Sequence, residues 1–136
     1  MSAKQYLLQV RELDAEINRK QERLEYLRCA ATRTTPVQGG GTGGGSISDR
    51  IGTIGAKIAD LDAEINADID RLNDLKWEIA FKVNMLDNKQ EAELLKRHYV
   101  KLQSWKRMSA QMGIGLSRLH RIHRRALEHL EYIYYI

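Results

Sequence analysis

The chain has 136 residues, 43% hydrophobic and 29% charged, with 22 lysines and arginines against 18 aspartates and glutamates. That length holds one compact domain or two small modules, and one proline, one phenylalanine and few β-branched runs outside helical spacing exclude a sheet-rich fold in favour of an all-α one. A lone Cys29 excludes a disulfide framework or a zinc site, and no apolar stretch approaches the roughly 20 residues needed to cross a membrane. The opening Met1-Ser2-Ala3-Lys4-Gln5 lacks the apolar core of a signal peptide. These features together lead us to expect a cytoplasmic location, whose reducing conditions suit an unpaired thiol.

The first predicted helix runs from about Ser2 to Ala31. Ala3, Tyr6, Val10, Leu13, Ile17, Lys20, Leu24, Leu27 and Ala31 alternate at spacings of three and four, a coiled-coil seam with one polar interruption. Thr32 to Ile47 follows, with Pro36 and six glycines between Gly39 and Gly45, a composition expected to form a flexible loop. A phosphate-binding loop fails here, because no Gly-Lys-Ser/Thr follows and no strand precedes the glycines.

The second predicted helix runs from about Ser48 or Asp49 to Leu86. Its seam is Ile51, Ile54, Ile58, Leu61, Ile65, Asp68, Leu72, Leu75 and Ile79, and Asp-Ala-Glu-Ile-Asn occurs at both 14–18 and 62–66. Either an internal duplication or a shared seam requirement accounts for that repeat. A parallel return would have to span about 45 Å with a loop reaching at most roughly 55 Å, so an antiparallel hairpin is expected. Ile69, Trp77, Ala80, Phe81, Val83 and Met85 widen the apolar surface beyond the seam. That surplus, with the apolar tail Tyr132-Ile133-Tyr134-Tyr135-Ile136, exceeds what one hairpin buries and predicts a homodimer.

Residues 1–86 thus read as a coiled-coil hairpin with its glycine-rich loop at 32–47, and 87–136 as a second module. Asp87 is the expected N-cap of a third helix through about Lys101, with Ala92, Leu95 and Tyr99 inward. Beyond it, Trp105 opens a twenty-residue pattern in which Met108, Met112, Ile114, Leu119 and Ile122 occupy the positions that close two short helices on each other. Ser109 supplies a small residue at their crossing, and Gly113 falls at the turn, where positive φ is commonly needed. This is the spacing of a helix-turn-helix. The last helix continues with Ala126, Leu130 and Ile133 on the same stripe as Leu119 and Ile122.

Charge supports that reading. Lys96 to Leu127 carries nine basic residues and no acidic one, while the other 104 residues carry 13 basic and 18 acidic ones. A one-sign block with a regular apolar pattern is a folded surface aimed at a polyanion, and the bland alternative is a solvated face without a partner. In a helix-turn-helix the second helix enters the major groove of double-stranded DNA. Its outward positions here are Leu116, Ser117, Arg118, His120, Arg121 and Arg124. Lys101 and Lys106 lie outside that helix as phosphate contacts, and Arg107 and Arg125 complete the candidate DNA-binding set.

The stretch Leu94-Leu95-Lys96-Arg97-His98-Tyr99-Val100, then Ser104-Trp105, Met112-Gly113 and His120-Arg121-Ile122-His123-Arg124-Arg125-Ala126-Leu127, resembles the C-terminal module of the ArpU/RinA-like regulators of phages and prophages of Gram-positive bacteria. Their helix-turn-helix is similar to region 4 of bacterial sigma factors. The resemblance implies a transcription regulator of late phage genes, acting in a bacterial cytoplasm, with RNA polymerase as a further candidate partner. Gly115 stands where that family usually has a Ser/Thr cap, and Leu116 where a polar base-reading residue is common.

Nothing points to an enzyme, a cofactor or a metal. His120 and His123 are embedded among arginines, which repel a cation, and Asp14/Glu16 and Asp62/Glu64 sit two apart on different helix faces. The rival readings are an adaptor whose basic face meets an acidic protein and a structural coiled-coil protein with an incidental basic end.

Overall fold

The computed structural model describes residues 1–33 and 44–134; of Arg33 and residues 44–48 only the backbone is described. The fold is all-α. Five α-helices and one π-helical turn, with no strand among the described residues, follow in the order α1 (Ala3–Arg33), α2 (Gly44–Val83), α3 (Lys89–Leu95), the π-turn (Lys96–Val100), α4 (Trp105–Met112) and α5 (Leu116–Tyr134). The long helices extend into the segment expected as loop, to Arg33 on one side and from Gly44 on the other. Once nucleated, a helix adds one hydrogen bond per residue, so elongation carries it past the last seam residue. The rest of that loop, 34–43, lies outside the described residues, as do Tyr135 and Ile136 of the apolar tail.

Two compact units make up the chain: Ala15–Asp70, and Met1–Asp14 together with Arg71–Ile136. In the first, α1 and α2 meet along Ile17, Leu24, Leu61 and Ile65, all buried. Lys20 Nζ donates to Asp68 Oδ2 at 2.6 Å and lies 3.7 Å from Glu64 Oε2, while Arg28 lies 3.8 Å from Asp62. Partner numbers fall as α1 numbers rise, so the segments run antiparallel. The two polar interruptions of the seams, Lys20 and Asp68, therefore meet each other. Such a pair adds little stability but penalises any register that separates it. Towards the loop the seam opens: Ile54 and Ile58 are half-buried and Ile51 is exposed.

In the other unit, Ala3, Leu7 and Val10 of α1 are buried, as are Leu72, Ile79 and Val83 of α2. Tyr6 donates to Glu78 at 2.7 Å, and the Ala3 amide donates to Glu131 of α5 at 3.0 Å. Leu7 is the correction to the seam read from spacing, which assigned that turn to the half-buried Tyr6. With α5 as well as α2 beside it, this end of α1 buries a wider stripe than a two-helix seam requires.

The cap of α3 is Asn88, not Asp87. Its Oδ1 accepts from the amides of Gln90 and Glu91 at 2.9 and 3.2 Å. The helix then widens, the Lys101 amide reaching back five residues to the Lys96 carbonyl at 3.0 Å. Ala92, Leu95 and Tyr99 are inward as their spacing predicts, and α3 packs on α5.

Candidate nucleic-acid interface

Two helices and a tight turn carry the candidate site. Ser104 caps α4, its Oγ accepting from the Arg107 amide at 3.1 Å. At the other end Gly113 sits in the left-handed region at φ 67°, and its amide donates to the Ser109 carbonyl at 3.0 Å. Ser109 Oγ donates to the Ile114 carbonyl at 2.5 Å, bracing the turn from inside. Small size at position 109 is thus joined by a hydrogen bond that spacing does not reveal. Gly115 offers its carbonyl to the Leu119 amide at 2.9 Å but no side chain to cap α5. Met108 and Leu119 are fully buried, Ile114 is buried, and Met112 and Ile122 are half-buried.

This scaffold leaves all ten sequence-derived residues exposed: Lys101, Lys106, Arg107, Leu116, Ser117, Arg118, His120, Arg121, Arg124 and Arg125. At about 100° per residue the outward arc of α5 runs from His120 through Arg124, Ser117 and Arg121 to Arg125 and Arg118. Its two edges differ. His120 packs tilted against Trp105 of α4 with ring centroids 4.3 Å apart. Arg118, Arg121 and Arg125 line a pocket of about 200 Å³ with Asn88, Gln90 and Glu91 at the start of α3. None of the seven lysines and arginines in the set has a side-chain hydrogen bond or ion pair among the described residues.

The remaining two basic residues of the acid-free block are engaged within the fold. Arg97 pairs with Glu93 at 2.8 Å and donates to Gln111 at 2.7 Å, and Lys96 donates to Asn84 at 2.8 Å. Arg97 thereby ties the π-turn to α4.

A ring cluster, of which only His120 belongs to the sequence-derived set, supports the site from beneath. Trp105 lies between His98, at 4.4 Å, and His120, while His123 meets its edge at 4.9 Å and stacks with Tyr99 at 5.7 Å. Tyr99 Oη is 2.6 Å from His123 Nε2, and His98 Nδ1 is 2.9 Å from the Gln103 carbonyl. Burial holds His123 down to about 4, helped by the charges of His98, Lys4 and His120. Burial also lowers His98, partly offset by its bond to Gln103, and pushes Tyr99 up to about 12. The histidine spacing was legible, but the residues gathered from the π-turn and α4 become neighbours only through packing. Another buried titratable group, Glu91, accepts from His129 Nδ1 at 2.7 Å.

No group of three or more histidines, cysteines, aspartates or glutamates among the described residues could hold a metal ion. No helix among them is long and apolar enough to cross a membrane. Comparison with protein-family models, curated proteins and solved structures finds no match to this chain.

Proposed function

We propose that this protein is a sequence-specific DNA-binding transcription regulator. In this reading α4, the Gly113 turn and α5 act as a helix-turn-helix with α5 in the major groove. The observation that carries the proposal is the set of seven exposed lysines and arginines on α5 and around α4, all without intramolecular partners among the described residues. Leaving that many like charges side by side costs energy in the free protein, and a polyanion relieves it. His120, held against Trp105 at one edge of the arc, and Arg118 and Arg125 at the other edge suit the flanks of the groove. Ser117, Arg121 and Arg124 suit its base edges.

The resemblance to ArpU/RinA-like regulators extends the proposal to a phage or prophage protein acting on late genes in a bacterial cytoplasm. A homodimer belongs to the same reading. Trp77 and Phe81 are 78% and 66% exposed on the side of α2 opposite its seam, an unfavourable placement for a monomer.

A salt titration of binding to duplex DNA tests the proposal. With about five to seven phosphates neutralised, log K should fall against log salt with a slope of roughly −4.5 to −6. A slope near zero would sink it and favour a purely structural coiled-coil role.

A further inference from the structure

The start of α3 meets α5 at the arginine-bearing edge of its outward arc. Between them lies the pocket of about 200 Å³, lined by Asn88, Gln90 and Glu91 from one side and by Arg118, Arg121, Ile122 and Arg125 from the other. Its unused polar groups are mostly donors. Asn88 Oδ1 is occupied as the α3 cap, accepting from the amides of Gln90 and Glu91, so Nδ2 is the end of that carboxamide left to donate. The adjacent Asp87 has the chemistry to cap too, but as the cap it would set a negative charge beside the arginines. Neither the Gln90 side chain nor any of the three arginines has a partner among the described residues. Glu91 is the one acid in the lining. Its carboxylate is buried and accepts from His129 Nδ1 at 2.7 Å, and none of the arginines pairs with it.

Size and position select the occupant. A volume of about 200 Å³ lies below the roughly 300–1,000 Å³ of small-molecule pockets, and Ile122 is the single apolar side chain in the lining. Such a space suits one anionic group rather than a peptide or a metabolite. A helix with its side chains is about 10–12 Å across, and the major groove is about 12 Å wide. A helix lying there fills the groove. The centre of its outward arc then meets base edges and its margins meet the sugar-phosphate walls. Arg125 and Arg118 stand about 40° and 60° beyond Arg121 around α5, at the margin shared with Asn88 and Gln90.

We infer that this pocket seats one backbone phosphate of the duplex, held by Arg118 and Arg125 from α5 and by Asn88 Nδ2 and the Gln90 amide from α3. The seat requires α5 to lie in the major groove, the reading proposed above, and adds a DNA contact from outside the two helices and turn of the motif. Asn88 and Gln90 are uncharged and precede the acid-free block, so charge content does not reveal them. A phosphate gripped from two helices fixes the register and tilt of α5 in the groove. It carries no base information and strengthens binding to every sequence.

Fluorescence anisotropy on the full chain, with two labelled duplexes of unrelated sequence, tests the seat. Asn88→Ser and Asn88→Asp both retain a capping oxygen, so the unfolding midpoint should move little in either. Asn88→Ser removes the donor and should weaken both duplexes about threefold to tenfold. Asn88→Asp also sets a carboxylate beside the phosphate and should weaken both by more than about tenfold. In a chain carrying Arg118→Ala and Arg125→Ala, Asn88→Ser should cost less than about twofold, because the groups act on one phosphate. A parent that binds duplex with the expected salt slope, unaltered by Asn88→Ser, overturns the phosphate seat and leaves the DNA-binding reading standing. Equal losses with and without the two arginines overturn it as well, and so does weakening confined to one duplex, which would make Asn88 a base reader. If inorganic phosphate raises the unfolding midpoint while Asn88→Ser leaves duplex binding unchanged, the pocket serves a free anion instead. A parent that binds neither duplex removes both readings.

Discussion

Tyr99 Oη and His123 Nε2 lie 2.6 Å apart, joining the π-turn to α5 under the exposed arginines. Each group is favoured in its neutral form by burial, His123 at about 4 and Tyr99 at about 12. An unfolded histidine takes a proton near pH 6.5, whereas the folded His123 resists until about 4. Protonation in that window therefore favours unfolding, and the stability is whole above 6.5 and lost as pH falls towards 4. We expect a loss of about 1–2 kcal/mol between pH 7 and pH 4, moderated because the ring is only half-buried. Urea midpoints across that range measure it, and His123→Phe should flatten the profile. Equal pH profiles for variant and parent would show that the acid sensitivity lies elsewhere. Tyr99 acts at the other end, its contribution whole below pH 10 and lost as pH rises towards 12.

Arg121 sits near the middle of the outward arc, where a bidentate contact to guanine is feasible. Arg121→Ala should cost about 1–3 kcal/mol of binding and relax one base position. Lys106→Ala, acting through phosphate, should weaken all sequences alike and reduce the salt slope by about 1. Binding to a set of single-base operator variants distinguishes the two roles. Uniform weakening by Arg121→Ala would remove it from base reading.

Gly113 has open space around it, with nothing within 4 Å of where a Cβ would stand, yet its φ of 67° disfavours any L side chain. The penalty for Gly113→Ala is therefore conformational rather than steric, about 1–2 kcal/mol by thermal or urea unfolding. Gly115 has no such constraint. Gly115→Ser should leave stability unchanged or raise it by up to about 1 kcal/mol through a cap hydrogen bond to the first turn of α5. A reversed order of the two substitutions would contradict the turn geometry.

Trp77, Phe81 and Met85 succeed one another at four-residue intervals and are 78%, 66% and 55% exposed. We expect sedimentation at micromolar concentration to give about twice the chain mass of 15.7 kDa, and Trp77→Glu with Phe81→Glu to give the monomer. A monomeric parent would sink the dimer. With a twofold axis and both heads on DNA, half-sites should lie about 10 base pairs apart or a multiple of that. Footprinting reads this separately, since one head alone would protect an asymmetric site.

Local spacing made much of the molecule legible. Alternating three- and four-residue steps identify the long helices, because a helix must gather apolar residues on one side to bury them. Trp105 to Ile122 shows its two short helices and intervening turn in the same way, because Gly113 marks a backbone conformation that other residues avoid. The seven candidate contacts on α5 were legible as exposed because the apolar stripe of that helix leaves their arc outside.

Other features depend on distant parts of the chain meeting. Nothing in the order of residues announces that Lys96 to Val100 widens into a π-turn, since Ala92, Leu95 and Tyr99 keep ordinary α-helical spacing. Asn88 displaces Asp87 as the cap because the start of α3 is set by its packing on α5, and both residues have the chemistry to cap. The ring cluster of His98, Tyr99, Trp105, His120 and His123 arises only when three elements close on one another. Charge content and helical period are local properties, readable from neighbours a few residues apart. Which rings stack, which cations are already engaged and which remain free is decided by the packing that brings separate helices together.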